Sequence, residues 1–282
     1  MKEAIPLLSI VSPVYKAEKI IPLLVERIEN SVSKITADYE VLLVEDGGPD
    51  HSWAVIEAIA KTNSKIKGIK LSRNFGQHPA IMAGLSQTKG EWVVVMDCDL
   101  QDQPEEIEKL YIKALEGFDI VLAKRRDRKD RFFIYMTSKL FSLTYSYLTE
   151  TKFDGTIANF GIYNKKVIVE VLKMDDYIKS FPLFVNWVGY NTISVEVEHA
   201  ERLESQSSYT FSKLMSLAFN TIISFSNKPL KLFVKFGMIM SVVSFIVGLI
   251  TIFKYFKGEI SVLGYSSLMV SIWFLSGVII TI

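Results

Sequence analysis

The sequence predicts an α/β domain with a mostly parallel sheet and helices on both faces, followed by an amphipathic helix and two membrane-spanning helices. Three observations predict it. Short apolar runs of strand type alternate with amphipathic stretches from residue 7 to about residue 125. Several of those runs are apolar on both faces, as strands covered on both sides are. After residue 233 the chain turns almost wholly apolar, and the surplus in its 49% hydrophobic content sits there.

In chain order, residues 7–14, 39–44, 66–71, 92–96 and 119–123 read as strands. Helical periodicity marks 20–32, 53–61, 79–86 and 105–115 between them. Asp50 is placed to cap the second helix, and Pro104 stands in the first turn of the fourth, where proline is tolerated. Residues 132–148 read as a long aromatic-rich helix, serving equally as core or as an interface in a homo-oligomer. A further strand, 193–197, alternates Ile193, Val195 and Val197 inward. Residues 211–225 carry an amphipathic pattern suited to lying on a bilayer. Apolar stretches at 236–253 and 262–282 are each close to the roughly 20 residues that cross a bilayer. The expected organisation is therefore a catalytic-type domain over 1–210, a juxtamembrane helix over 211–232 and two membrane helices over 233–282.

Lys and Arg total 32 against 31 for Asp and Glu, so overall charge gives no reason to expect nucleic acid. The single cysteine, Cys98, forms no disulfide framework, and no signal peptide is visible. Both fit a domain held on the cytoplasmic side of a membrane. His51, His78 and His199 lack metal-ligand spacing, and His51 and His78 fall at helix starts. No Walker sequence or G-x-G-x-x-G is present, which disfavours kinases and dinucleotide enzymes.

Ligands of open parallel sheets bind beyond the carboxyl ends of the strands. The fourth strand ends Met96-Asp97-Cys98-Asp99-Leu-Gln101-Asp102. In extended chain Asp97, Asp99 and Gln101 point to one side. Paired carboxylates repel unless a cation lies between them, and hard oxygens suit Mg2+ or Mn2+ with substrate phosphates as further ligands. Asp102 reads as the cap of the next helix. The second strand ends Val44-Glu45-Asp46-Gly47-Gly48-Pro49-Asp50, placing two acids beside a tight turn. A carboxylate there can accept the ring N–H of uracil, thymine or guanine, though both acids read equally well as turn residues. After the fifth strand, residues 124–131 hold six basic residues in eight. Arginine forks among them match phosphate oxygens.

Taken together, Val11-Ser-Pro13-Val-Tyr15, Val44-Glu-Asp46-Gly-Gly-Pro-Asp50, Ser72-Arg-Asn74-Phe-Gly76, Met96-Asp97-Cys-Asp99-Leu-Gln101-Asp-Gln-Pro104 and Arg125-x-x-Arg128 resemble glycosyltransferase family 2, of the GT-A fold. The branch most resembled is the dolichyl- and polyprenyl-phosphate sugar transferases. The resemblance implies that Pro13, Tyr15 and Asp46 hold the nucleoside of a nucleotide sugar. Glu45, Asn74, Arg202 and Ser207 complete the donor-binding set. It implies that Asp97, Asp99 and Gln101 hold a divalent metal, and that Arg125 and Arg128 meet phosphates. The reaction implied is inverting transfer from a UDP-, dTDP- or GDP-sugar to a polyprenyl-phosphate lipid.

Two departures bear on that expectation. The branch usually has Gly-Asp-Phe-Arg where this chain has Ala158-Asn159-Phe160-Gly161. It usually has Arg-x-x-Gly-x-Ser-Lys-Tyr where this chain has Arg202-Leu-Glu-Ser205-Gln-Ser207-Ser208-Tyr209. A lipid phosphate needs no general base, whereas a sugar hydroxyl does. Asp154 is the nearest remaining candidate for such a base. The departures leave a lipid-linked saccharide acceptor, or an inactive nucleotide-sugar-binding protein, as alternatives.

Overall fold

The computed structural model describes residues 7–125, 156–174, 179–198, 200, 228–258 and 264–281. They fall in two compact units, the first holding the described residues up to 200 and the second those from 228 onward.

The first unit is built on seven strands: β1 (Leu8–Val14), β2 (Tyr39–Glu45), β3 (Ile66–Lys70), β4 (Trp92–Val95), β5 (Ile120–Arg125), β6 (Ile157–Asn164) and β7 (Thr192–Val197). Their order across the sheet is β3-β2-β1-β4-β6-β5-β7. β1 pairs in parallel with β2 and β4, β2 with β3, and β5 with β7. β6 runs antiparallel between β4 and β5. The helices are α1 (Ile21–Val32), α2 (Ser52–Thr62), α3 (Gln77–Leu85), α4 (Ile107–Leu115), α5 (Lys165–Leu172) and α6 (Phe181–Val188), with a short 3-10 turn at Pro104–Glu106 leading into α4.

Alternation along the strands sends side chains to two apolar layers. Leu8, Ile10, Val41, Leu43 and Val94 pack with Ile21, Leu24 and Ile28 of α1, Ile56 of α2 and Leu110 of α4. On the opposite face α3 approaches β1 and β2 so closely that a Cβ on Gly84 would lie 2.4 Å from Val11 Cγ1 and 2.9 Å from Val44 Cγ2. A glycine is required there by contact with β-branched neighbours. At the amino end of the sheet, buried Glu40 is held by Ser9 Oγ at 2.6 Å, the Lys89 N–H at 2.6 Å and Lys67 Nζ at 2.5 Å. Those bonds outweigh burial and hold its carboxyl below the usual range.

Three expectations are corrected. Residues 157–164 form the strand β6, inserted in the middle of the sheet, where no strand was expected. Asp50 does not cap α2: its Oδ2 accepts the Glu18 N–H at 3.2 Å and the Ser52 hydroxyl at 2.8 Å, and His51 occupies the capping position. Asp102 does not cap the following helix either, because Gln103 stands before the 3-10 turn.

The second unit contains α7 (Lys228–Phe256) and α8 (Tyr265–Thr281), packed against each other. Its inside and outside are inverted relative to the first unit. Gly237, Ser244 and Gly277 are buried along the seam, whereas Phe236, Ile239, Phe245 and Trp273 are exposed. A Cβ on Gly277 would lie 2.4 Å from Ser241 Oγ and 2.8 Å from Ser241 N, so the backbones meet closely there. One helix among the described residues, over Leu230–Lys254, is long and apolar enough to cross a membrane. α8 has 17 residues, with its apolar stretch at Val270–Ile279. The long helix begins at Lys228 rather than at 233. The expected helices over 132–148 and 211–225 lie outside the described residues.

Candidate active site

The site is assembled where β1, β2, β4 and β5 end. Pro13 explains why β1 and β4 part there. In β1, odd-numbered residues bond to β4: the Trp92 N–H donates to Leu7 O and the Met96 N–H to Val11 O. Pro13 falls on that side and has no N–H to donate. The ladder with β4 accordingly stops at the pair Val11–Val95, while that with β2 continues through Val14–Glu45. Beyond it the chain turns through Lys16 at φ 54°. The Tyr15 backbone N–H bonds the Cys98 thiol, bringing the end of β1 to the turn after β4. The Tyr15 ring is exposed beside it.

The turn after β2 is closed by its own acids. Glu45, buried at the end of the strand, accepts the Gly48 N–H on Oε1. Asp46, also buried, accepts the Phe75 N–H at 2.8 Å on Oδ1 and the Gly76 N–H at 2.9 Å on Oδ2. Asp46 is thus bound at the amino end of α3, where negative charge is favoured. Gly47, at φ +60°, lies so close to the loop after β3 that a Cβ would sit 2.4 Å from both Arg73 C and Asn74 N. Asn74 is carried, exposed, on that loop.

The turn after β4 is different. Extended chain ends at Val95, and Leu100 is left-handed at φ 58°. The expected alternation of Asp97, Asp99 and Gln101 therefore does not hold. Instead Asp99 Oδ1 accepts the Gln101 N–H at 3.1 Å, and Gln101 O accepts the Ala200 N–H at 3.0 Å. The acids are still crowded. Burial, followed by the charges of Asp102 and then Asp99, pushes the Asp97 carboxyl up to about 7. The Gln77 amide, which donates to Asp97 Oδ1, and the nearby Arg125 guanidinium act in the opposite direction. Arg125 ends β5; its backbone N–H donates to Thr156 O, and its buried Nε has no hydrogen-bond partner among the described residues. Cys98 is pushed up to about 12 by burial and by the Asp97 charge, so its thiol stays protonated. His78, the second residue of α3, is held down at about 4 by burial and is neutral.

Pro13, Tyr15, Glu45, Asp46, Asn74, Asp97, Asp99, Gln101 and Arg125 all therefore lie in strand ends or loops at one edge. Arg128, Asp154, Arg202 and Ser207 lie outside the described residues. Sequence reasoning missed Gln77, a neutral residue at a helix start, and underrated Asp102, which is buried and acts on Asp97 more strongly than Asp99 does. The altered motif 158–161 begins β6 at the same edge, since Ile157 faces Lys124 and Gly161 faces Val95. A Cβ on Gly161 would lie 2.9 Å from Tyr163 Oη and 3.0 Å from Val121 O, so the phenol takes up the room where the branch has an arginine.

Among the described residues no three His, Cys, Asp or Glu side chains converge on one point to hold a metal by themselves. The donor set still fits Mg2+ or Mn2+ in kind. It offers hard carboxylate oxygens from Asp97 and Asp99, and such ions take the remainder of their shell from water and phosphate.

Residues 9–172 match the family described as Glycosyl transferase family 2. The undecaprenyl-phosphate 4-deoxy-4-formamido-L-arabinose transferase of Proteus mirabilis is 34% identical over 251 residues, covering 89% of this chain and 77% of its own. The uncharacterized glycosyltransferase YkcC of Bacillus subtilis is 33% identical over 275 residues, covering 97% of this chain and 85% of its own. Among solved structures, glucosyl-3-phosphoglycerate synthase from Mycobacterium tuberculosis, in complex with Mn2+, uridine diphosphate and phosphoglyceric acid, superposes with a TM-score of 0.58 at 15% identity, over 78% of this chain and 77% of that one. Mannosyltransferase PcManGT from Pyrobaculum calidifontis, in complex with GDP-Man and Mn2+, gives a TM-score of 0.51 at 17% identity, over 73% of this chain and 59% of that one. The sheet order, the crowded acids beyond β4 and these likenesses agree: the chain belongs to glycosyl transferase family 2, and its first unit has the GT-A fold.

Proposed function

We propose that this glycosyltransferase moves a sugar from a UDP-, dTDP- or GDP-sugar to a polyprenyl phosphate at the cytoplasmic face of a membrane, with inversion at the anomeric carbon. One observation carries the reading: the carboxylates of Asp97, Asp99 and Asp102 crowd together beyond β4, beside an arginine at the end of β5 and next to the end of β1. The acceptor class is supported by the relatives named as undecaprenyl-phosphate transferases.

In this reading Pro13, Tyr15, Glu45, Asp46 and Asn74 bound the nucleoside crevice. Asp46 supports it mainly by fixing the loop at 75–76, since both of its oxygens are already bonded. Asp97 and Asp99, with Gln101, would hold Mg2+ or Mn2+, which when bound supplies neutralisation of the charge on the departing diphosphate. Arg125 and Arg128 pair with phosphate oxygens, and Arg202 and Ser207 complete the phosphate contacts. Such donors, fixed before reaction, stabilise charge where it develops. A lipid phosphate is already an anion and attacks without a base. A saccharide hydroxyl would need one, and Asp154 is the candidate in that case.

Membrane attachment through both α7 and α8 is part of the proposal. Small residues face the seam and large apolar ones face outward, the arrangement suited to helices packed in lipid. α8 falls short of the usual span, but its partner is a full span and the two are in contact.

The test is transfer by the full chain in detergent, with each nucleotide sugar offered against undecaprenyl phosphate and, separately, a lipid-linked saccharide. Transfer to the phosphate with inverted configuration, read by NMR of the anomeric proton, is expected. Transfer to the saccharide alone would replace the acceptor, and binding without turnover on either would remove the catalytic reading.

A further inference from the structure

We propose that Gln77 is the positioning residue of Asp97: its side-chain amide occupies Oδ1, so that Oδ2 is the oxygen presented to a divalent cation. This rests on the metal reading given above. Gln77 opens α3, and its Nε2 donates to Asp97 Oδ1. Asp97 Oδ2 receives no hydrogen bond among the described residues. A carboxylate next to other acids turns away from them unless something holds it, and a neutral donor can do so without neutralising it.

The attachment of Gln77 strengthens the inference. The two residues before it, Phe75 and Gly76, donate their N–H groups to Asp46 at 2.8 and 2.9 Å. Gly76, at φ 98°, starts the helix in a conformation that side chains rarely adopt. Three consecutive residues thus grip the acid turn after β2 by backbone and the acid turn after β4 by side chain. The first turn of α3 spans the two halves of the proposed donor site and sets the Asp97 carboxylate relative to the nucleoside crevice. Glutamine has the required length, since asparagine is one methylene shorter; leucine keeps the volume but loses the donor.

The experiment compares wild type, Gln77→Leu and Gln77→Asn as full chains in detergent. Mn2+ is titrated by electron paramagnetic resonance in the presence of whichever of UDP, dTDP or GDP the wild type binds. Thermal melts and the Mn2+ dependence of kcat are recorded alongside. Both variants are expected to need about 10- to 100-fold more Mn2+ for half-occupancy, the range typical of groups that orient a metal ligand. Melting should be little changed, and excess Mn2+ should restore kcat. Mn2+ occupancy within about twofold of wild type in both folded variants would overturn the inference. So would a loss of activity that follows a lowered melting temperature and resists added Mn2+, because that marks a packing role. Wild-type protein that binds nucleotide with no response to Mn2+ would instead remove the metal reading itself, and this inference with it.

Discussion

The two acidic turns at the carboxyl edge of the sheet have similar compositions and opposite electrostatics. After β2, Glu45 and Asp46 are buried and their oxygens accept backbone N–H groups from Gly48, Phe75 and Gly76. After β4, Asp97 faces Asp102 and Asp99, and the Gln77 amide and Arg125 guanidinium relieve it only in part: burial and repulsion still leave its carboxyl at about 7. Carboxylates satisfied by backbone donors fix the turn and the loop at 75–76. Crowding of carboxylates around Asp97 favours a cation in the proposed function, since charge that destabilises the empty fold is relieved on binding. In the proposed function the first turn would hold the donor site in shape and the second would carry its charge.

The largest expected effect comes from removing charge at the second turn. Asp99→Ala should cut kcat for sugar transfer by about 100- to 1,000-fold, as loss of a group that stabilises developing charge does. Relief of repulsion on Asp97 offsets the loss of the Gln101 N–H contact, so thermal melts of the metal-free variant should move less than the transfer rate does. Asp46→Ala should do the reverse. It strips the N–H groups of Phe75 and Gly76 of a charged acceptor, at a cost of about 2–4 kcal/mol of stability. Urea unfolding of the two variants side by side would show whether the division holds.

A smaller effect should appear with pH. The Asp97 carboxyl lies at about 7 in the fold against an ordinary 3.8, so ionisation favours the unfolded chain. Metal-free protein should therefore lose stability as pH rises from about 4 to about 7. Melting in chelator at pH 5 and pH 8 should differ more in wild type than in Asp97→Asn, and Mn2+ with nucleotide should reduce the difference. The smallest effect is at Cys98. Its thiol, pushed up to about 12, should alkylate slowly at pH 8, and Cys98→Ser should leave transfer close to wild type.

Much of this was legible in the residues, for identifiable reasons. β1, β2, β3, β4 and β5 announce themselves because strands covered on both faces need unbroken apolar runs. β6 does not: Asn159, Gly161 and Asn164 read as turn residues, and its extended form is set by pairing with β4 on one side and β5 on the other. At the site, the acids and arginines were visible because charge at a strand end is costly without a partner. Their geometry was not, because the left-handed Leu100 breaks the alternation on which the pointing of Asp99 and Gln101 was reasoned. Gln77 carries no charge to draw notice, and only the folded chain brings it to Asp97, 20 residues further on.

In the proposed function the second turn is a cation site for a nucleotide sugar. The most direct measurement is calorimetric binding of UDP, dTDP, GDP and CMP to the full chain, with and without Mn2+, in wild type and Asp97→Asn. Mn2+-dependent binding of one of the first three is expected in wild type, with its loss or strong weakening in the variant. Equal binding with and without Mn2+, or binding untouched by Asp97→Asn, would contradict the proposed function.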